Sequence, residues 1–495
     1  VEANLLNRIR GTAVALMAIG MFAAHADASP PAAPHTVPIV MLSDIHFDPF
    51  HDPGKLAELR NAPASAWDAI LRRADSPTQA ADFEALQKTC GARGVDTPMS
   101  LLTASLAAQK ALMPQPLFVT VSGDLMAHVF DCKFKTLVPG ASEAEYSAFA
   151  AKTVEFVALE LHATFPKSPV YLALGNNDSG CRDYREDENS AYLHTNAKSF
   201  AAAALNTANA AAIEQEFSRF GDYSVTLPSP MRHTRLLVIQ NIFEASSFKS
   251  CSERQDSSST QEQVQWLRAQ LIAARAQHEK VWVMGHIPPG VNPFLADATT
   301  AKVCGSAGVA GGFLRTQELA ATLAEFADVI KLAIFGHTHM DEIHLIEGSG
   351  QAQGSAIPMK LTPSMTTVVG NSSSFTIAQV DPARAMLMDY AVYSASNKSG
   401  VGATWSKEYA YSSTYHLPDF SSASVKTLTA GFVSDPALKA APSLDYVHLY
   451  STGDSDGISL NIRELALSAV WRGYGCAVSD ASQAAFKACV CASAK

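Results

Sequence analysis

Beyond the N-terminus, no stretch of the sequence is apolar for the roughly 20 residues that a helical membrane span needs, which excludes a body built of such spans. A basic cluster is also missing: 37 Lys and Arg face 47 Asp and Glu, for a formal charge of −10. That balance argues against long nucleic acids held through their phosphate backbone. Any anionic substrate would have to be attracted by something other than the chain's net charge, such as a bound cation, the largest local charge in a site that holds one. Cysteine is sparse, eight in 495 residues, so the core need not depend on a disulfide framework. No internal repeat or long low-complexity tract is present, which excludes a repeat architecture.

Residues 1–28 read as a secretory leader. Arg8 and Arg10 precede the apolar stretch Thr12 to Ala24, and Ala26-Asp27-Ala28 offers a small-residue cleavage site before Ser29. An uncleaved leader acting as an anchor is the alternative. A short Ala/Pro linker, residues 29–37, follows. The expected location is secreted or periplasmic, where cysteines pair. Cys476, Cys489 and Cys491 crowd the C-terminus, where one local bridge is expected, whereas Cys90, Cys132 and Cys181 find no partner from sequence.

From residue 38 to about 340 the chain alternates strand and helix patterns, with helices expected over 99–112, 143–165, 199–217, 260–277 and 314–326. A consecutive strand group then follows in MKLTPSMTT, SFTIAQVD and MLMDYAVYS. This order predicts an α/β domain over residues 38–399, with a central mixed sheet extended by antiparallel strands and helices outside. Residues 400–495 are less periodic and are expected to form a mostly helical C-terminal subdomain whose aromatic residues serve packing.

Five short blocks carry the chemistry: SDIH (Asp44, His46), SGD (Asp124), GNND (Asn176), GH (His286) and GHTH (His337, His339). Each follows a run that reads as a buried strand: VPIVML, PLFVTV, PVYLAL, KVWVM and KLAIF. The blocks therefore collect at one sheet edge, where open α/β sheets place their ligands. Any one block is a weak signal, and a lone strand-end histidine is more often structural than a ligand. Five in order, each in the same context, point jointly to a metal site. Two cations about 3.5–4 Å apart can clamp both oxygens of an in-line displacement at phosphorus. Asp124 is the carboxylate expected to bridge them. The mixed N/O donors suit zinc, iron or manganese better than calcium. Water coordinated there has its pKa lowered toward about 7, which supplies a hydroxide nucleophile without a protein base.

These blocks resemble the calcineurin-like metallophosphoesterase superfamily and, within it, the acid sphingomyelinase-like phosphodiesterase branch. GHIPPG at 285–290, GHTHMD at 336–341 and TPSMTTVVG carry the likeness to the branch, as does His128, four residues after Asp124. The resemblance implies a four-layer αββα sandwich and two zinc ions, with iron or manganese as alternatives. It places Asp44, His46, Asp124 and His339 on one metal, and Asp124, Asn176, His286 and His337 on the other. It also implies a Cys251–Cys304 disulfide and a catalytic His128.

Two departures bear on the substrate. Where the superfamily has a histidine after the GN pair, this chain has Asn177, which can donate a hydrogen bond but cannot act as an acid near neutral pH. The proton would then come from His128. GNND also resembles endopolyphosphatases, which cut phosphoanhydrides. The stretch from Ser29 to Val37 leaves no room for a saposin-like domain, which counts against a purely membrane-embedded substrate. Asp178 and Asp341 are expected to orient metal-bound histidines, as outer carboxylates commonly do. The leading expectation is an exported two-metal hydrolase of phosphoric diesters, acting on a small molecule or a lipid headgroup. A phosphoanhydride hydrolase and a non-catalytic phosphate- or metal-binding protein are the rivals.

Overall fold

Strand β1 (Val37–Leu42), read from VPIVML, is an inner strand of a six-stranded sheet. The short strands β2 (Val119–Val121) and β3 (Val170–Leu172) run parallel to it on one side. On the other side β10 (Ser374–Asp381), β11 (Met386–Ala395) and β12 (Trp405–Ala410) continue the sheet antiparallel. A second six-stranded sheet has parallel inner strands β5 (Thr234–Val238), β6 (Lys280–Met284), β7 (Ile330–Phe335) and β9 (Ala356–Leu361). Its antiparallel edges are β4 (Tyr223–Thr226) and β8 (Glu342–Glu347). The computed structural model describes residues 35–231, 233–254, 258–295, 303–304, 311–452 and 458–492. The expected leader and most of the linker lie outside the described residues.

Period-2 alternation explains how the sheets stack. Trp282, Met284, Leu332 and Ile334 of the second sheet share a core with Ile39, Val119 and Ile377 of the first, and the Phe118 and Trp282 rings meet edge to face at 5.9 Å. The intervening residues Val281, Val283, Ala333 and Phe335 join a separate core with Leu267 and Leu271 of helix Ser258–Ala276. Helix Glu143–Thr164, opened by a Ser142/Glu145 capping box, covers the first sheet through Phe149, Val154 and Phe156. The result is the expected four-layer α/β sandwich, with two sheets where strand order alone read one. Periodicity assigns each strand its faces and leaves its neighbours undetermined.

Thr36–Lys495 form one compact unit. Past residue 400 the chain first supplies β12 to the first sheet, and helices Ser422–Ser434 and Ile458–Ser479 then pack on β8 of the second. The single helix expected over 199–217 is two, Ala191–Ala203 and Thr207–Phe220. Leu205 adopts a left-handed conformation (φ 53°) between them, and the Asn206 side chain caps the second.

Four disulfides consume all eight cysteines: Cys90–Cys132, Cys181–Cys251, Cys304–Cys491 and Cys476–Cys489. The last is the local C-terminal bridge. The expected Cys251–Cys304 pair is not formed. Cys251 lies 5.8 Å, Cα to Cα, from Cys181, and Cys304 lies 5.6 Å from Cys491, separations that a disulfide requires.

Candidate metal centre

All five blocks fall in loops at the C-terminal ends of strands. Asp44 and His46 follow β1, Asp124 follows β2, Asn176 follows β3, His286 follows β6, and His337 and His339 follow β7. Ser122 at the end of β2 donates to the Phe335 carbonyl of β7 at 3.2 Å, so the two sheets meet at this edge. Asp44, His46, Asp124, His337 and His339 all have positive φ, between 46° and 75°. Left-handed backbone is costly for residues with a side chain and persists where the surroundings over-determine it, often at functional sites. Gly123 and Gly175 permit the close approach: a Cβ on Gly123 would lie 2.7 Å from His286 Nδ1, and one on Gly175 2.1 Å from Asp124 Oδ1.

The structure brings all seven predicted donors together. Asp124 Oδ2 lies 3.4 Å from His46 Nε2 and 3.1 Å from His286 Nε2. On one side Asp44 Oδ1 lies 3.7 Å from His46 Nε2 and 3.4 Å from His339 Nε2. On the other, Asn176 Oδ1 lies 3.2 Å from His286 Nε2 and 2.9 Å from His337 Nδ1. Asp124 is thus common to two groups of donors. His46 and His286 are each oriented by a backbone carbonyl at Nδ1, that of Met126 and of Ser122, both at 2.8 Å.

Apart from half-buried His337 the centre is buried, and Asp44 Oδ1, His46 Nε2 and His339 Nδ1 have no hydrogen-bond partner among the described residues. Leaving such groups unsatisfied is expensive. A pair of divalent cations accounts for the donor types and for the unpartnered Asp44 Oδ1 and His46 Nε2, which lie 3.7 Å apart. Burial opposes the charge on Asp124, but His286 and His46 beside it outweigh that and hold its carboxyl well below the usual range. Burial also works against protonating His46 and His286, yet Asp124 raises them to about 9 and about 10. At His337 and His339 burial wins, and they are pushed down to about 4 and about 3.

Asn177 does not stand free in the cleft. Its backbone N–H donates to Asp124 Oδ1 and its Nδ2 to Asp124 Oδ2, both at 2.9 Å. His128 stacks on His46, ring centroids 3.9 Å apart, and is one-third exposed. Its Nδ1 meets Asp96 Oδ1 at 2.8 Å while its backbone N–H donates to Asp96 Oδ2, and with His46 and His339 it forms one group that could hold a metal ion. Asp178 accepts from the N–H groups of Leu125, Met126 and Gly175, and Asp341 takes Lys360 and Tyr409. Neither holds a histidine, contrary to expectation.

Three contributors escaped the sequence reading. Asp96 is one, in a stretch that follows no strand. Lys133, fully buried, is another, lying 2.7 Å from Asp48 Oδ2 and 3.6 Å from Asp96 Oδ2. Asp183 is the third, accepting from Asn176 Nδ2 at 2.8 Å and so fixing which amide atom faces His286 and His337. Only a carboxylate near the blocks in sequence was a usable signal, and it pointed to Asp178 and Asp341 instead.

Comparison with known proteins agrees with this geometry. The calcineurin-like phosphoesterase family model matches residues 37–341. Acid sphingomyelinase-like phosphodiesterase 3b of Mus musculus is 26% identical, with 80% of this chain and 79% of the relative covered. The Homo sapiens protein of that name is 26% identical over 69% of this chain and 70% of its own length. Among solved structures, a dimetal phosphatase from Danio rerio aligns over 76% of this chain and 100% of its own, at 12% identity and a TM-score of 0.36. With its family's model spanning every block of the centre, this chain belongs to the calcineurin-like phosphoesterases.

Proposed function

We propose that the protein is an exported hydrolase of phosphoric diesters that uses two divalent metals. The observation that carries this reading is the pair of donor groups sharing Asp124, with His128 stacked on His46 beside them. Two cations, zinc by the family resemblance with iron or manganese as alternatives, would supply charge stabilisation at phosphorus and a water of lowered pKa. Asp44, His46, Asp124 and His339 would hold one, and Asp124, Asn176, His286 and His337 the other. Asn177 orients Asp124 through both carboxylate oxygens, and Asp96 orients His128. His128 then gives a proton from Nε2 to the leaving oxygen, a step in which a positioned acid contributes about 10²–10⁴-fold. The relatives named as phosphodiesterases support the diester class, and four disulfides suit an oxidising compartment.

A second reading, hydrolysis of phosphoanhydrides, rests on Asn177, because an anhydride leaving group needs less protonation than an alcohol. Purified, metal-loaded protein assayed on bis-p-nitrophenyl phosphate, sphingomyelin, CDP-choline, ATP and polyphosphate separates the two. Turnover of the diesters is expected. Polyphosphate cleavage with little diester activity would replace the first reading with the second. No turnover on any of the five would leave a binding protein.

A further inference from the structure

A cavity of about 1040 Å³, lined by none of the seven metal-centre donors, lies between helix Met99–Leu112, the segment 93–98 and the turns at 367–370 and 398–401. It is preformed. Gln87 Nε2 donates to the Gly94 carbonyl at 2.7 Å, and a Cβ on Gly94 would lie 2.7 Å from the Val368 carbonyl oxygen, so the two loops are in contact. The turn at 398–401 is anchored to the helix by Ser100 Oγ, which donates to the Ser399 carbonyl at 2.9 Å. Gly400 (φ +74°) lets that turn approach, since a Cβ there would sit 2.6 Å from Leu101 Cα.

The lining is unusual in two respects. Val95 and Val401, 47% and 70% exposed, both border the cavity, so its open side carries aliphatic surface. The charges around it are also unevenly matched. Asp48 is taken by Lys133, Lys55 pairs with Asp52 at 3.3 Å and with Asp75 at 3.4 Å, and Lys398 also has an interaction of its own. Arg72 is paired with Asp68. Arg93, exposed at the rim, has no hydrogen bond or ion pair among the described residues. An apolar wall beside an uncompensated guanidinium is complementary to a chain that is aliphatic at one end and anionic at the other, because Arg grips carboxylate and phosphate bidentately. A cavity of this size accommodates a small organic ligand.

We propose that this cavity binds an aliphatic anion, its chain against Val95, Met99 and Val401 and its charged end on Arg93. None of the seven metal-centre donors lines the site, and binding there needs no turnover to be detected. Isothermal titration of the intact protein with decanoate and with decyl phosphate should each show saturable binding, and decanol and butyrate at the same concentrations should not bind. Tighter binding of decyl phosphate would mark a phosphate head, and tighter binding of decanoate a carboxylate. Arg93→Glu and Val401→Asp alter exposed side chains and should each weaken the anions at least tenfold, with thermal unfolding unchanged. Absence of saturable binding by both anions, or equal affinity in the wild type and both variants, would overturn the assignment.

Discussion

Asn177 grips Asp124 by both oxygens, with its main-chain N–H on Oδ1 and its side-chain amide on Oδ2, each at 2.9 Å. The residue that replaces the superfamily histidine is therefore tied to the shared carboxylate. Partners that orient a metal ligand change metal affinity by about 10–100-fold when removed. Asn177→Ala should weaken metal binding within that range, and Asp124→Ala should abolish activity and lower metal per chain by elemental analysis. Wild-type metal content and turnover in Asp124→Ala would sink the assignment of the centre.

His128 and Asp96 should act as a unit. His128→Ala is expected to slow diesters with alcohol leaving groups by about 10²–10⁴-fold and to spare p-nitrophenolate esters, whose departure needs little protonation. Asp96→Asn should show the same selectivity to a smaller degree, because the ring keeps its stack on His46. Asn177→His in the His128→Ala background should recover part of the alcohol-ester activity. Equal loss on both leaving groups would mean that His128 positions substrate or metal.

Lys133 neutralises two buried carboxylates, Asp48 and Asp96. Removing one partner of a buried pair leaves uncompensated charge and costs about 3–5 kcal/mol. Lys133→Met should lower the free energy of unfolding by that order in denaturant titration. A loss below about 1 kcal/mol would show that water reaches these groups.

Acid should favour the folded state at Asp222. Burial pushes its carboxyl up to about 7, above its ordinary value of 3.8, despite hydrogen bonds from Gln240 and Gln263. A group whose folded value is raised contributes stability that is complete below its unfolded value and lost as pH rises through the folded one. The contribution of Asp222 should therefore fade between about pH 4 and pH 7. Buried Glu186 and Glu244, raised to about 8 and about 7, act in the same direction. Unfolding titrations at pH 4.5 and pH 8 should show a smaller pH dependence in Asp222→Asn than in the wild type. The same difference in both proteins would refute the assignment.

Peptide mapping without reduction should recover Cys181 with Cys251 and Cys304 with Cys491, each as one linked fragment. Recovery of a Cys251–Cys304 fragment would contradict the pairing seen in the fold.

The sequence by itself determined which candidate donors gather and the edge at which they stand. A buried strand has to end in a loop, and Asp44, Asp124, Asn176, His286 and His337 lie directly after runs whose apolar patterning identifies them as strands. It also determined the class of helix and strand in most segments, helix Met99–Leu112 among them. Tertiary structure alone decided partners. Strand periodicity carries no information on which strand lies beside which, so the division into two sheets emerged only from the pairing of β5, β6, β7 and β9. Cysteine pairing follows Cα separations set by the fold, which is why Cys251 meets Cys181 and not Cys304. Asp96, Lys133 and Asp183 work through contacts 32, 85 and 7 residues away in sequence, with His128, Asp48 and Asn176 respectively. A carboxylate or an ammonium acquires such a role from the group that packing brings within hydrogen-bond reach, and no local pattern encodes that distance.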